Sequence, residues 1–248
     1  MNILNFLREN ARWLFAGALL AFLSAFGQTF FIALFAGEIR EQFALSLGEW
    51  GAIYAIGTTM SATLMVFAGP LADRMRIRTL GLWVVTGLAF ACFAMAANPN
   101  SAALILVVLS LRFCGQGMLT HLSIVAMARW FVSNRGKALA VATLGFSLGE
   151  AVIPIPTVWI KSMVDWHQIW IGAGFFCLAM LPLLAILLRT ERSPKSLSED
   201  SSSAGMDGKH WKRPETLRHP LFWALAFAGL LTSGLNTGCQ RVSGRFQC

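Results

Sequence analysis

The stretch GPLADRMRIR, residues 69–78, decides the fold. It is a short polar loop with three arginines, and it separates two apolar stretches at residues 50–71 and 80–97. Each stretch is long enough to cross a ~30 Å hydrocarbon layer as a helix. A membrane interior has no water to satisfy backbone groups, so such stretches must be helical. Outward from this loop the pattern repeats and predicts six spans, numbered one to six: residues 13–36, 50–71, 80–97, 102–127, 138–160 and 166–188.

Positive charge falls in every other loop. The loops on one side hold only Arg40 and Lys161, while the others and the N-terminal segment hold nearly all remaining arginines and lysines. Positive residues stay on the cytoplasmic side, so we expect a multi-pass protein of the plasma membrane with its N-terminus inside. The net charge of +8 is then explained by the positive residues on the cytoplasmic side, so no nucleic-acid partner is expected. The basic loops also predict contact with anionic membrane lipid.

Four segments are predicted along the chain: a six-helix bundle at 1–189, a flexible cytoplasmic linker at 190–217, a truncated seventh helix at 218–238 and an aberrant polar tail at 239–248. The linker is rich in serine and charge. The seventh apolar stretch, residues 221–235, is barely long enough to span. The basic tail would lie outside, against the charge rule. We expect a truncated or frameshifted reading frame; the alternative is a genuine half-size protein.

The 69–78 loop resembles the cytoplasmic loop signature of the major facilitator superfamily, in which Gly, three residues, Asp and Arg are followed by Gly and basic residues. Gly69, Asp73 and Arg74 match, whereas Arg76 replaces the usual second glycine. The resemblance implies an all-α membrane protein, the N-terminal six-helix half of this fold plus a partial seventh helix. It also implies that Asp73 is a conformational latch assisted by Arg74 and Arg78. Arg129, at the cytoplasmic end of span four, is the expected partner of Asp73.

Two further motifs extend the resemblance. Residues 112–117, RFCGQG, look like the family's arginine-containing signature in span four. Residues 129–131 (RWF) and 134–140 (NRGKALA), followed by Gly145 and Gly149, resemble the same region of monocarboxylate and oxalate–formate carriers. The resemblance therefore implies a secondary active transporter, a symporter or antiporter, that moves a small organic solute by alternating access.

Arg112 and Glu150 are the clear charges inside the spans. Each would cost several kcal/mol if it faced lipid unpaired, so both should face the bundle interior. Each lies about 15 Å from the outer end of its helix at 1.5 Å per residue, which predicts a shared level and allows an ion pair. The pair either locks spans four and five together or lies in a substrate cavity. We favour the cavity, where Arg112 attracts an organic anion and Glu150 carries a coupling proton.

Polar residues on three spans support a cavity. Span one contributes Gln28, span four contributes Gln116, and span five carries Ser147 on the polar helical face that includes Glu150. We predict that Gln28, Gln116 and Ser147 are supporting contacts for the substrate. Interhelical hydrogen bonding is the alternative for each. Gly145 and Gly149 have GxxxG spacing, which predicts a close helix contact.

Other functions fit the sequence less well. Residues 145–149, GFSLG, match the GxSxG pattern of serine hydrolases, but a nucleophile elbow needs a strand before its serine. An intramembrane serine protease and a non-transporting membrane scaffold remain alternatives. No phosphate loop, dinucleotide fingerprint or metal-ligand cluster appears in the sequence, so no cofactor or metal is expected and the protein is not predicted to be an enzyme. A second copy, or a missing C-terminal half, is the expected protein partner.

Overall fold

The computed structural model describes residues 3–131, 133–190, 215, 218–229 and 231. Over these residues it is helical, and six helical spans are long and apolar enough to cross a membrane. This confirms the all-α bundle. The spans are Asn5–Ala33, Leu47–Arg74, Ile77–Ala96, Ser101–Trp130, Arg135–Lys161 and Trp166–Leu187. Five of the six begin before the predicted residue, span one by eight residues, because polar and charged residues extend the helices beyond their apolar segments.

Several spans are built from more than one helical segment. Their bounds are Ile3–Leu23, Ser24–Gly27 and Thr29–Ala33 in span one; Leu47–Ala68 and Leu71–Arg74 in span two; Ile77–Ala96 in span three; Ser101–Leu111, Arg112–Leu119 and Thr120–Trp130 in span four; Arg135–Val152 and Pro154–Lys161 in span five; and Trp166–Leu187 in span six. A short helix, Ala36–Gln42, lies between spans one and two.

Side chains that satisfy free backbone groups set several helix ends. Ser46 and Glu49 form a capping box at the start of span two, with hydrogen bonds of 3.2 and 2.8 Å. The Asn100 side chain accepts from the Ala103 amide at the start of span four. At the end of span six, the Arg12 guanidinium of span one donates to the carbonyls of Ile186 and Leu187. These carbonyls have no helical partner, so Arg12 ties the first span to the last.

The core lies where spans one, three, four and six meet. Trp170 of span six is fully buried and packs edge-on against Phe31 of span one, with ring centroids 5.0 Å apart. Spans two, five and six are much less buried than span one. The bundle therefore leaves broad faces of these three spans uncovered.

The segments after span six form a second unit, which begins at Lys195. Within it the structure describes a helix at Pro220–Gly229. Most of the predicted linker, the end of the predicted seventh span and the predicted tail at 239–248 lie outside the described residues, and those predictions are untested.

Candidate functional site

Span one is interrupted near its middle. Its α-helix ends at Leu23, the chain tightens into a 3₁₀ turn at Ser24–Gly27, and Gln28 is extended (φ −80°, ψ 156°) before Thr29 restarts the helix. Irregular backbone at membrane depth is tolerated where it is buried in protein or lines a cavity. The interruption places Gln28, which is buried, toward span four, where its amide nitrogen lies 3.5 Å from the Thr120 hydroxyl.

Span four is irregular at the facing position. Residues Arg112–Leu119 form a π-helical segment between two α-helices, and such segments are frequent at functional sites. The two irregular segments touch at a pair of glycines. A Cβ added to Gly115 would lie 2.5 Å from the Gly27 Cα, and one added to Gly27 would lie 2.1 Å from the Leu111 carbonyl oxygen. Spans one and four therefore cross with their backbones in contact.

Arg112 lies at this crossing and is 93% buried. Its terminal nitrogen donates to the Thr29 hydroxyl at 3.0 Å and, more weakly, to the Gly27 carbonyl at 3.4 Å. Its guanidinium stands 5.6 Å from the centre of the Tyr54 ring. Tyr54 donates in turn to Thr29 at 3.1 Å. Arg112 is thereby held by residues from spans one and two.

Part of the hydrogen-bonding capacity of Arg112 is unused. A guanidinium has five N–H donors, and the buried Nε of Arg112 has no hydrogen-bond partner. The side chain lines an open cleft of about 460 Å³ between spans two and four. The buried hydroxyl of Thr58 in the same cleft also has no partner. The cleft is lined by Thr58, Ser61, Ala62, Met65, Arg112, Gln116, Gly117, Thr120, His121 and Ile124.

Glu150 does not pair with Arg112. The described part of the chain holds no ion pair between them, and Glu150 is exposed on the open face of span five together with Ser147. The expected ion pair is therefore wrong. Gly145 and Gly149 face span one instead: a Cβ on Gly145 would lie 2.3 Å from the Ala18 carbonyl oxygen. Because Glu150 follows Gly149 directly, the helix turns it about 100° away from that contact.

The 69–78 loop is tied to span four by two backbone carbonyls. His121 Nε2 lies 3.2 Å from the Gly69 oxygen, so this nitrogen carries the proton and donates. Arg129 donates to the Ala72 oxygen at 2.8 Å. The expected Arg129–Asp73 pairing is therefore replaced by a bond to the neighbouring residue's carbonyl. The Asp73 carboxylate is exposed, and no side chain in the described ranges donates to it.

The remaining predicted site residues are placed separately. Gln116 lines the cleft and is exposed. Arg74 and Arg78 are exposed, and Arg78 points into a different groove on span three. Ser147 lies inside the helix Arg135–Val152 rather than after a strand, so the GxSxG match does not form a nucleophile elbow. Among the described residues, no group of three His, Cys, Asp or Glu side chains could hold a metal ion.

The sequence did not point to span two. Tyr54, Thr58 and Ser61 contact Arg112 or line its cleft, as does Thr29 of span one. The available signal was the cluster of small hydroxyl residues at 58–63, TTMSAT, in which Thr58 and Ser61 are three apart and share a helical face.

The chain is similar to several proteins that are named as transporters. A gallate transporter of Pseudomonas putida is 27% identical over 158 residues, covering 62% of this chain and 34% of the relative. A putative tartrate transporter of Agrobacterium vitis is 30% identical over 173 residues, covering 67% and 37%. The riboflavin transporter MCH5 of Saccharomyces cerevisiae is 29% identical over 170 residues, covering 64% and 32%. The chain thus spans about a third of the length of these curated relatives.

No solved structure matched the chain. The sequence profile of the Major Facilitator Superfamily matches residues 17–241, which include all of the irregular crossing, the cleft and the 69–78 loop. Together with the six membrane-length helices, this makes the chain a multi-pass integral membrane protein. It belongs to the Major Facilitator Superfamily.

Proposed function

We propose that this chain supplies the anion-binding part of a secondary transporter for small organic carboxylates. The observation that carries the proposal is the buried Arg112 guanidinium, which lines the cleft and has an Nε without a hydrogen-bond partner. A buried charge with unused donors is costly unless an anion completes it. A carboxylate accepts two parallel N–H bonds from a guanidinium, so it suits the donors that Arg112 leaves free.

The surrounding cleft supports a hydroxylated or otherwise polar substrate body. Thr58, Ser61 and Thr120 offer hydroxyls around Arg112, and Gln116 offers an amide. The similarity to gallate and tartrate transporters is consistent with a carboxylate. Gln28 contacts Thr120 and is proposed to orient the cleft.

Glu150 is proposed as the coupling group. It is exposed within span five, and a carboxylate at this depth would not face lipid. We infer that the open faces of spans two and five are covered by further protein and line a water-filled path. Glu150 and Ser147 would then lie on that path, where Glu150 could bind a proton in one state of an alternating-access cycle.

The 69–78 loop is proposed as the conformational switch on the cytoplasmic side, with the N-terminus also inside. His121 lines the cleft and holds the Gly69 carbonyl, and Arg129 holds the Ala72 carbonyl. Movement of span four would therefore pull on Gly69 and Ala72 together. Asp73 and Arg74 are free to change partners as the loop moves.

Binding of labelled tartrate and gallate to the purified chain in detergent tests the anion site. Arg112→Gln removes the charge and most donors, and we expect an affinity loss of about 30-fold or more, equivalent to ~2 kcal/mol. Arg112→Lys keeps the charge but loses the planar fork, so it should recover only part of the affinity. Arg189→Gln, an exposed arginine outside the cleft, is the matched control and should bind normally. Equal affinities in all four proteins would contradict the anion site.

Uptake of labelled carboxylate by cells that express the chain tests the coupling role. Glu150→Gln is expected to abolish the pH dependence of labelled carboxylate uptake while leaving binding intact, because the amide cannot titrate. Glu150→Asp keeps a carboxylate that can bind a proton and is the matched control, which should retain the pH dependence. An unchanged pH profile in Glu150→Gln would refute the coupling role and leave the Arg112 site standing.

A further inference from the structure

A second groove lies on the outer surface of span three. It has a volume of about 410 Å³ and is lined by Arg76, Arg78, Thr79, Leu82, Trp83 and Thr86. These residues come from the end of the 69–78 loop and the first ten residues of one helix. At 1.5 Å per residue the groove runs about 15 Å along the helix, from the membrane interface toward the middle of the bilayer.

The mouth of the groove is positively charged. Arg76 and Arg78 line it, and none of the lining residues that the structure describes is acidic. The Arg78 side chain is exposed and has no ion-pair partner in the described ranges. Thr79, one residue further on, adds a hydroxyl at the same end. Two guanidiniums and a hydroxyl at an interface match a phosphate ester in charge and hydrogen bonding.

The other end of the groove is apolar and faces outward. Trp83 is 71% exposed and Phe90, seven residues later on the same helical face, is 65% exposed. Tryptophan near a basic helix end is typical of the membrane–water interface. No charged residue lies in span three beyond Arg78. This exposed face therefore suits lipid, in contrast to the face of span five that carries Glu150.

We infer that this groove is a binding site for an anionic phospholipid. Arg76, Arg78 and Thr79 would hold the phosphate, Trp83 would pack against the glycerol and ester region, and one acyl chain would follow Trp83 and Phe90 along span three. This assigns Arg78 a role separate from the latch expected for it. The site is independent of the anion-binding cleft, so either can fail without the other.

Native mass spectrometry of the full chain with phosphatidylglycerol tests the site. A direct hydrogen bond from an arginine to the phosphate contributes enough for about a fivefold change in affinity, whereas a charge that only lies near the site contributes less because salt screens it. We therefore expect the double variant Arg76→Gln/Arg78→Gln to bind the first phosphatidylglycerol about 25-fold more weakly. Arg74→Gln removes the same charge from the same loop but from outside the groove, and it should bind as the unmodified chain does. Equal weakening in Arg74→Gln would overturn the site in favour of general surface charge.

Two competitors separate the lipid from other phosphates. Phosphatidylcholine has the same chains but no net charge, and we expect it to bind at least tenfold more weakly. Glycerol 3-phosphate has the charge but no chains, and it should not displace bound lipid. Equal binding of phosphatidylcholine, or full displacement by glycerol 3-phosphate, would overturn the proposal.

Fluorescence quenching checks the position of the lipid without relying on charge variants. Phosphatidylglycerol brominated on its acyl chains should quench the part of the tryptophan emission that is absent from Trp83→Phe. Trp83 is exposed, so the substitution should leave the fold intact. Identical quenching in the two proteins would place the lipid elsewhere and refute the groove.

Discussion

Spans one and four differ from spans three and six in how regular their helices are. Spans three and six are uninterrupted helices, Ile77–Ala96 and Trp166–Leu187, and they form the most extensively packed helix pair in the bundle. Spans one and four both depart from α-helical geometry where Gly27 contacts Gly115. The irregular pair holds the buried Arg112 and the polar cleft. Among the described residues, the 3₁₀ and π-helical segments thus both lie at the candidate binding site.

The strongest test of this contrast is to add one methyl group to a glycine in each pair. In Gly115→Ala the new Cβ would lie 2.5 Å from the Gly27 Cα, so two backbones must separate. In Gly174→Ala of span six it would lie 2.5 Å from the Phe93 ring, which can turn away. We expect a destabilisation of about 3 kcal/mol for Gly115→Ala and about 1 kcal/mol for Gly174→Ala.

Thermal and denaturant unfolding in detergent measures both variants. The gain in helix propensity from glycine to alanine, up to about 1 kcal/mol, acts in both and largely cancels. Equal destabilisation would show that the backbones of spans one and four can move apart at Gly27 and Gly115 as easily as the Phe93 ring can turn away from Gly174.

The contact between spans five and one extends the test to a regular helix. A Cβ in Gly145→Ala would lie 2.3 Å from the Ala18 carbonyl oxygen, whereas one in Gly136→Ala of the same helix meets nothing within 4 Å. We expect Gly145→Ala to destabilise the bundle by about 2 kcal/mol and Gly136→Ala to leave stability unchanged or slightly raised. Similar unfolding curves for the two variants would contradict close packing by the GxxxG pair.

Tyr54 tests how the contacts around Arg112 hold spans one and four together, since its hydroxyl donates to Thr29 and its ring lies beside Arg112. Tyr54→Phe removes the hydroxyl donor and keeps the ring near Arg112, so we expect the free energy of unfolding to fall by about 1 kcal/mol. Tyr54→Leu also removes the ring and should lower tartrate affinity further, because Arg112 loses its cation–π contact. If Tyr54→Leu binds tartrate as tightly as Tyr54→Phe, the ring does not position Arg112.

Apolar length and charge distribution were sufficient to predict the six spans, whereas the family was predicted from the resemblance of residues 69–78 to its cytoplasmic loop signature. The same reasoning identified Arg112, because a charge inside a membrane span is costly unless it faces the protein interior or a cavity. It also identified Gln28 as a polar residue deep within span one. It predicted an Arg112–Glu150 pair from equal depth alone. Depth along a helix does not fix the direction in which a side chain points, and the packing of Gly149 on span one turns Glu150 away.

Other site residues could not be found because they depend on the interruptions. A regular helix would place Ser24, Gln28 and Phe31 on one face, but the 3₁₀ turn and the extended Gln28 change that register. Thr29 and Tyr54 meet Arg112 only after this change. No local sequence rule signals a π-helical segment at 112–119, since it is stabilised by contact with span one.

The smallest predicted effect on stability is at Asp165, which directly precedes the membrane-spanning segment of span six. The Asp165 carboxylate accepts from the His167 amide at 2.8 Å and also contacts the His167 ring. The backbone hydrogen bond, followed by the contact with the ring, lowers the pKa of Asp165 below its ordinary value. The stabilisation is therefore fully present at neutral pH and is lost as the pH falls through the folded-state pKa.

Asp165→Asn keeps an oxygen that can cap the helix but removes the titration. We expect it to melt slightly below the unmodified chain at pH 7, because the charge-dependent stabilisation is gone, and its melting temperature to fall less steeply between about pH 5 and pH 3. Asp165→Ala should melt lower than both at pH 7, because it leaves the His167 amide without a cap. The shift should be smaller than in any glycine variant, since Asp165 is solvent-exposed whereas the crossing of spans one and four is buried. A larger shift in Asp165→Ala than in Gly115→Ala would mean that the ends of the regular helices, and not the irregular crossing, limit the stability of the bundle.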